Sequence, residues 1–259
     1  MPEGDTVYRE ARSLGDALRG SVLTRCDIRV PQWATIDLTG ETVQEIASRG
    51  KHLLIRTDSV SVHSHLKMEG SWHLYRHGTA WQRPAFQARI VLETLDCAAA
   101  GFDLGVLELM PRTAEVPALG YLGPDLLGAD WDAGEAVRRL AVRPDVPVAV
   151  ALADQRNLAG LGNVYVNELC FLRGILPTRL IGEVTDLPAL VGLAHRLINA
   201  NRDRVERTTT GNTRRGARLW VHSRHGQACR RCGTRLVRSK IGRSELELRD
   251  VFWCPRCQT

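Results

Sequence analysis

Two groups of residues in this chain have the types and spacing to do chemistry, one near each end. The first is Met1-Pro2-Glu3. Were Met1 removed, Pro2 would present a secondary amine on a rigid ring. An α-amino group titrates near ~7.7–8.0, against ~10.4 for a lysine, so much of it is neutral at physiological pH. Such an amine attacks an aldehyde-like carbon and forms a cationic Schiff base. Glu3, beside it, can move protons. Many chains begin Met-Pro, so the pair alone does not decide the matter. The second group is Cys229-x-x-Cys232 and Cys254-x-x-Cys257, with 21 residues between the pairs. Two such pairs match a closed four-thiolate zinc site, which is structural because zinc has no position left for water. His222 and His225 lie near enough in sequence to be rival ligands. Cys26, Cys97 and Cys170 read as isolated core residues.

Weaker signals lie between these ends. Gly160-Leu161-Gly162-Asn163 precedes a helix pattern, where free N–H groups and the Asn163 amide suit a phosphate; a plain interhelix turn is the competing reading. In Arg49-Gly50-Lys51-His52, Gly50 would allow a bulge that aims Lys51 off the sheet. Ser64–Gly70 puts Met68 in a polar loop, as core packing or as an exposed wedge of the kind that unstacks DNA. His63 and His65 alternate on a strand and receive no role.

These residues need elements to position them. Val7, Ala11, Leu14 and Leu18 recur at helical spacing, with Asp5 or Thr6 as cap and Gly20 as stop. Pro2 would then precede a helix N-terminus, whose partial positive charge disfavours the protonated amine. Residues 21–110 read mostly as strands, among them 45–57, 60–66, 71–75 and 86–94, which implies a β-sandwich. Residues 120–127 are turn-rich and mark a boundary. Helices are expected over 131–142, from Asp145 with Pro147 in the first turn to Gln155, over 163–173, and over 187–205. Residues 208–218 read as a flexible polar linker.

Charge is unevenly spread. The last 59 residues carry 15 Lys+Arg against 5 Asp+Glu, whereas the first 200 carry 20 against 24. Fourteen of those 15 cations are arginines, whose planar fork suits phosphate. A polyanion, above all nucleic acid, is the implied partner. The sequence lacks both an 18-residue apolar run and a signal-peptide start, so a cytoplasmic location is expected.

Taken in order, Pro2-Glu3-Gly4, Arg49–Leu54 (RGKHLL), Leu122–Leu127 (LGPDLL), Leu158–Glu168 (LAGLGNVYVNE), Trp220–Gly233 and Trp253–Gln258 resemble the formamidopyrimidine-DNA glycosylase / endonuclease VIII family over nearly the whole chain. The resemblance implies an α+β protein in three parts. These are an N-terminal β-sandwich with an opening helix (1–122), a helix–two-turns–helix domain (123–210), and a linker with a zinc finger (211–259). It implies a bifunctional DNA glycosylase and AP lyase, monomeric and bacterial, working at the nucleoid on double-stranded DNA with damaged bases or abasic sites. Pro2 would be the nucleophile and Glu3 the proton donor. Lys51 would aid catalysis and touch phosphate. Asn163 and Arg249 would grip phosphates, Arg249 also serving the elimination step. Lys67 and Met68 would fill the space the flipped base leaves, and Cys229, Cys232, Cys254 and Cys257 would hold one Zn2+. Where the purine-repair branch carries Arg-Arg-Phe-Gly, this chain has Phe102-Asp103-Leu104-Gly105. That departure, and the segment SHLKMEGSW, are similar to the second endonuclease VIII type of actinobacteria and imply oxidised pyrimidines as substrates. An oxidised-purine glycosylase and a non-catalytic DNA-binding relative are the alternatives.

Overall fold

The computed structural model describes residues 2–259. Removal of Met1, on which the Pro2 chemistry depends, therefore lies outside the described residues. The chain divides into two compact units, 1–121 and 122–259.

The first unit opens with α1 (Gly4–Leu18) and continues through eight strands. These are β1 (Arg25–Ile28), β2 (Glu45–Arg49), β3 (His52–Arg56), β4 (Val60–His65), β5 (Ser71–Tyr75), β6 (Ala88–Glu93), β7 (Ala98–Phe102) and β8 (Val106–Pro111). A short helix, α2 (Glu115–Leu119), closes the unit. The strands form two antiparallel sheets, ordered β1-β6-β7-β5 and β2-β3-β4-β8. Their inner faces and the apolar stripe of α1 share one core, in which Val7, Leu14 and Leu18 meet Leu53, Ile55, Val62, Ile90 and Leu92. The expected sandwich is present.

Two local readings change. The cap of α1 is Glu3, not Asp5 or Thr6: its carbonyl accepts the Thr6 and Val7 N–H groups at 3.0 and 3.1 Å. Asp5 already lies within the helix, its carboxylate accepting from Thr6 N–H at 2.9 Å. The 45–57 run is not one strand with a bulge but a hairpin, with Arg49 paired to His52. Gly50 takes φ 58° in the two-residue turn, a conformation glycine adopts without steric cost, and Lys51 completes that turn.

The second unit carries α3 (Ala133–Ala141), α4 (Val148–Ala153), α5 (Asn163–Leu172) and α6 (Leu187–Asn199), then the hairpin β9 (Val237–Ile241) and β10 (Arg249–Trp253). Asp132 and Asp186 cap α3 and α6 through their side chains. Pro147 is the residue before α4 rather than part of its first turn, and α6 stops at Asn199, short of the expected 205. Tyr165, Leu169, Leu152, Leu190 and Ile198 form the helical core, to which Val251 of β10 also belongs. Residues 208–218 are no loose linker. Thr208 N–H donates to Asn201 Oδ1 at 2.8 Å, Thr210 Oγ1 donates to the Ala217 carbonyl, and the Thr209 hydroxyl donates to the buried Glu168 carboxylate.

Candidate functional site

In the first unit, Glu3 is fully buried at the start of α1, and Pro2, half-buried, comes immediately before it. The first turn of α1 thus begins two residues after Pro2. Lys51, half-buried, stands at the tip of the β2–β3 hairpin. Lys67 and Met68 occupy the turn between β4 and β5. Lys67 is held at φ 54°, and Met68 is 61% exposed. That exposure resolves the two readings of Met68 against core packing.

Behind Lys51 the outer face of β3-β4-β8 carries a polar file that the sequence reading left without a role. Glu108 accepts from His63 Nδ1 at 3.1 Å, and His63 Nε2 lies 2.8 Å from His52 Nδ1. His52 Nε2 in turn lies 3.2 Å from the Tyr121 hydroxyl. For neutral imidazoles with a carboxylate at one end, the protons of this chain run in one order. Tyr121 donates to His52, His52 to His63, and His63 to Glu108. His65 stands edge-on to His52, ring centroids 5.0 Å apart, and its Nδ1 accepts the Lys67 N–H at 2.9 Å. Burial, then the neighbouring imidazoles and Lys67 and Lys51, hold His52 down to about 3. Burial, with Lys67 and Lys51, holds His65 down to about 4. Both imidazoles are therefore neutral at physiological pH. The signal in the sequence was the alternation of His63 and His65; the partners that complete the file, Glu108 and Tyr121, lie 45 residues from His63 and 69 from His52.

In the second unit, α4 and α5 are joined by residues 154–162. Gln155 braces this turn: its Oε1 accepts the Gly160 N–H at 3.0 Å and its Nε2 donates to the Leu161 carbonyl at 2.9 Å. Asn163, the first residue of α5, is 9% exposed, and its Nδ2 donates to the Asp250 carbonyl at 2.8 Å. Asn167, one turn on, accepts the Phe252 N–H. Both asparagines thus fasten α5 to β10, and one amide hydrogen of Asn163 is already engaged there. Arg249, which opens β10, is exposed and has no ion-pair partner among the described residues.

The four cysteines come together. Their sulfurs all lie within 4.8 Å of one another, with Cys229–Cys257 at 4.0 Å and Cys232–Cys254 at 3.4 Å. Both distances far exceed the ~2.05 Å of a disulfide. Tetrahedral ligands at ~2.3 Å from zinc stand about 3.8 Å apart, so the cluster has the dimensions of a four-sulfur metal site. Gly233, at φ 79°, closes the first knuckle by donating its N–H to the Cys229 carbonyl at 2.9 Å. His222 and His225 are not members of the cluster. Glu168, on α5, is wholly buried. It accepts the N–H groups of Trp220, Val221 and His222 at 2.7, 2.8 and 2.9 Å. Burial pushes its carboxyl up, against these hydrogen bonds, which favour the ionised form.

Comparison with known proteins sets these features in a lineage. Residues 1–103 match the model of the formamidopyrimidine-DNA glycosylase N-terminal domain. Over the whole chain, the sequence is 52% identical to DNA-(apurinic or apyrimidinic site) lyase Nei2 of Mycolicibacterium smegmatis, covering 99% of that protein. The chain belongs to the formamidopyrimidine-DNA glycosylase / endonuclease VIII family. Within this family, it is also 51% identical to endonuclease 8 2 of Mycobacterium tuberculosis, with both chains fully covered. Lactococcus lactis Fpg, solved with DNA containing an abasic site, shares the fold at a TM-score of 0.83 and 23% identity, covering 100% of both chains. The family fold accounts for the sandwich, the helices and the four-cysteine hairpin. Among the described residues, no helix is long and apolar enough to cross a membrane.

Proposed function

We propose that the chain is a bifunctional DNA glycosylase and AP lyase acting on double-stranded DNA that carries oxidised pyrimidines or abasic sites. One observation carries the reading: a fully buried Glu3 caps α1 directly after Pro2, in a chain that matches a named AP lyase from end to end. The target nucleotide leaves the stack, because its sugar carbon is out of reach inside it. The Pro2 nitrogen bonds to C1′ and gives up its proton; the base departs with the bonding pair and takes up a proton. Glu3 donates a proton to the ring oxygen, the sugar opens, and an iminium joins Pro2 to C1′. Loss of a C2′ proton then expels the 3′ phosphate, and water releases the free amine. An abasic site enters the same sequence after its base is gone.

The other residues divide between the units. Catalysis belongs to 1–122, where Lys51 contacts phosphate and supports the chemistry, while Lys67 and Met68 occupy the space the base vacates. The helices of 123–210 and the finger of 211–259 hold phosphates through Asn163 and Arg249, Arg249 also assisting elimination. Cys229, Cys232, Cys254 and Cys257 hold one structural Zn2+, which fixes the finger and so aims Arg249. The enzyme acts as a monomer at the bacterial nucleoid. Asp103 stands where the purine-repair branch has an arginine, which favours pyrimidine lesions. Thymine glycol and dihydrouracil are therefore released faster than 8-oxoguanine opposite cytosine; the reverse order would move the chain to the purine branch. Glu3→Gln abolishes release of damaged bases and leaves measurable cleavage at preformed abasic sites. Equal loss of both activities would assign Glu3 to folding or binding instead.

A further inference from the structure

On the outer face of the β1-β6-β7-β5 sheet, residues 76–87 fold back over an aromatic cluster of Tyr75, Trp81 and Phe102. From this loop Arg83 reaches two other segments and Gln87 of its own. Its Nη1 donates to the Glu69 carbonyl and to Ser71 Oγ, both at 3.0 Å. Its Nη2 donates to Asp103 Oδ2 at 2.6 Å, and its Nε to Gln87 Oε1 at 3.2 Å. The guanidinium carbon also sits 5.9 Å from the centre of the Phe102 ring.

The two loops it joins are strained and interlocked. Lys67 and Asp103 both hold positive φ, 54° and 44°, which costs of order 1–3 kcal/mol for a residue other than glycine. The stem of Lys67 lies over Gly105 so closely that a Cβ there would stand 2.1 Å from Lys67 Cγ. A Cβ on Gly70 would come within 3.0 Å of the Asp103 carbonyl oxygen. Strain of this kind persists only where surrounding contacts over-determine it. Lys67 N–H donates to His65 Nδ1 and Asp103 N–H to the Gln87 carbonyl, both at 2.9 Å, and Arg83 adds the contacts that join the two loops: five N–H donors in a rigid fork can serve acceptors in several segments at once, which a lysine ammonium cannot do with the same geometry. The platform's product is an exposed Met68 with Lys67 beside it, at the rim of a pocket of about 270 Å³ that Arg89, Asp103 and Leu104 also line.

We infer that Arg83 is a positioning residue: it locks loops 66–70 and 103–105 into one platform that presents Met68 and Lys67 to the duplex. It touches no reacting atom. The inference rests on the proposed glycosylase reading, and it makes a selective demand. A damaged base in duplex DNA must be extruded and its space filled, whereas an abasic site in single-stranded DNA leaves nothing to extrude and no partner strand to support.

The experiment compares wild type, Arg83→Gln, Arg83→Lys and Asp103→Asn in single turnover. The substrates are a duplex bearing dihydrouracil and a single strand bearing an abasic site. Arg83→Gln should lower base release from the duplex by about 10–100-fold, the scale of a misplaced binding group, with single-strand cleavage kept within about twofold. Arg83→Lys should restore little of the duplex rate, because it keeps the charge and loses the fork. Asp103→Asn, which weakens the Arg83 pair and the longer one to Arg89 at 3.9 Å but leaves the other Arg83 contacts, should show the same selectivity at smaller size and guards against a folding defect in the arginine variants. Equal loss on both substrates, or an unaltered duplex rate in Arg83→Gln, overturns the inference. A wild-type protein inactive on every abasic substrate would instead remove the glycosylase reading on which it stands.

Discussion

In the first unit, the cations proposed to meet DNA stand on turns held by side-chain hydrogen bonds. Lys51 tips a hairpin backed by the Glu108–His63–His52–Tyr121 file, and Lys67 sits on a strained loop tied to His65. In the second unit, Arg249 starts a strand of a two-stranded hairpin whose far end converges on four thiols. The contrast follows from the amount of core available. Two four-stranded sheets and a helix bury enough apolar surface for polar networks to be added on the outer face. The finger's cluster has only six buried residues, one of them Phe171 of α5 and two of them cysteines, and the cross-link open to so small a segment is a metal ion on its four thiols. One unit therefore fixes its turns with many bonds of modest strength; the other brings four thiols together beside a small core and sets one buried carboxylate under three backbone N–H groups.

Breaking the metal centre should have the largest effect. Cys254→Ser should release zinc and weaken binding to abasic-site DNA by well over tenfold, since structural zinc contributes about 10–16 kcal/mol in small finger peptides. Zinc release and a DNA titration on the same preparation check this. Arg249→Ala sharpens the point: zinc stays, while the salt dependence of DNA binding flattens by a slope of about one. Wild-type affinity in both variants would show that the finger does not carry DNA binding.

The buried carboxylate comes next. Glu168→Gln replaces an acceptor of three backbone N–H groups and the Thr209 hydroxyl with an amide that has one oxygen and an NH2 facing donors. Thermal or urea unfolding should show a loss of about 1.5–3 kcal/mol, the range for hydrogen bonds to a charged group. A change within ~0.5 kcal/mol, the size of an ordinary surface substitution, would mean the 208–222 segment does not depend on Glu168.

Glu10, in the first unit, should give a stabilising change. It lies on α1 with Oε2 lacking a hydrogen-bond partner among the described residues, and burial raises it to about 7, partly offset by the Trp72 N–H. The unfolded chain ionises near 4.5, so the folded protein loses stability as pH rises from there to about 7. Glu10→Gln should leave stability unchanged at pH 4 and raise it at pH 8 by on the order of 1–3 kcal/mol. A uniform shift at both pH values would show that charge is not the cause.

What the sequence disclosed depended on the range of the determining contact. The helix stripe of α1 and the two Cys-x-x-Cys knuckles are local patterns, and both stand as read. The hairpin at Gly50 did carry a local signal, because Ser48-Arg49-Gly50-Lys51-His52 interrupts the apolar residues with a polar stretch around a glycine, the composition of a turn. Residues 208–218 looked like a linker because their composition is polar, yet their partner Glu168 lies 41 residues away from Thr209. The same holds for the histidine file and for Arg83, whose acceptor in Asp103 is 20 residues distant. Side chains that act through remote partners leave no periodic trace.

The proposed reaction turns on a covalent bond from Pro2, and borohydride trapping on DNA with an abasic site detects that bond. Reduction of the iminium should join the protein to the sugar, and mass analysis of the trapped peptide should place the adduct on a mature N-terminus that begins with Pro2. Pro2→Gly, which exchanges the ring nitrogen for a primary amine, should lose most of that product. Undiminished trapping when the N-terminus is blocked, abolished instead by Lys51→Ala, would contradict the claim and make the lysine the nucleophile.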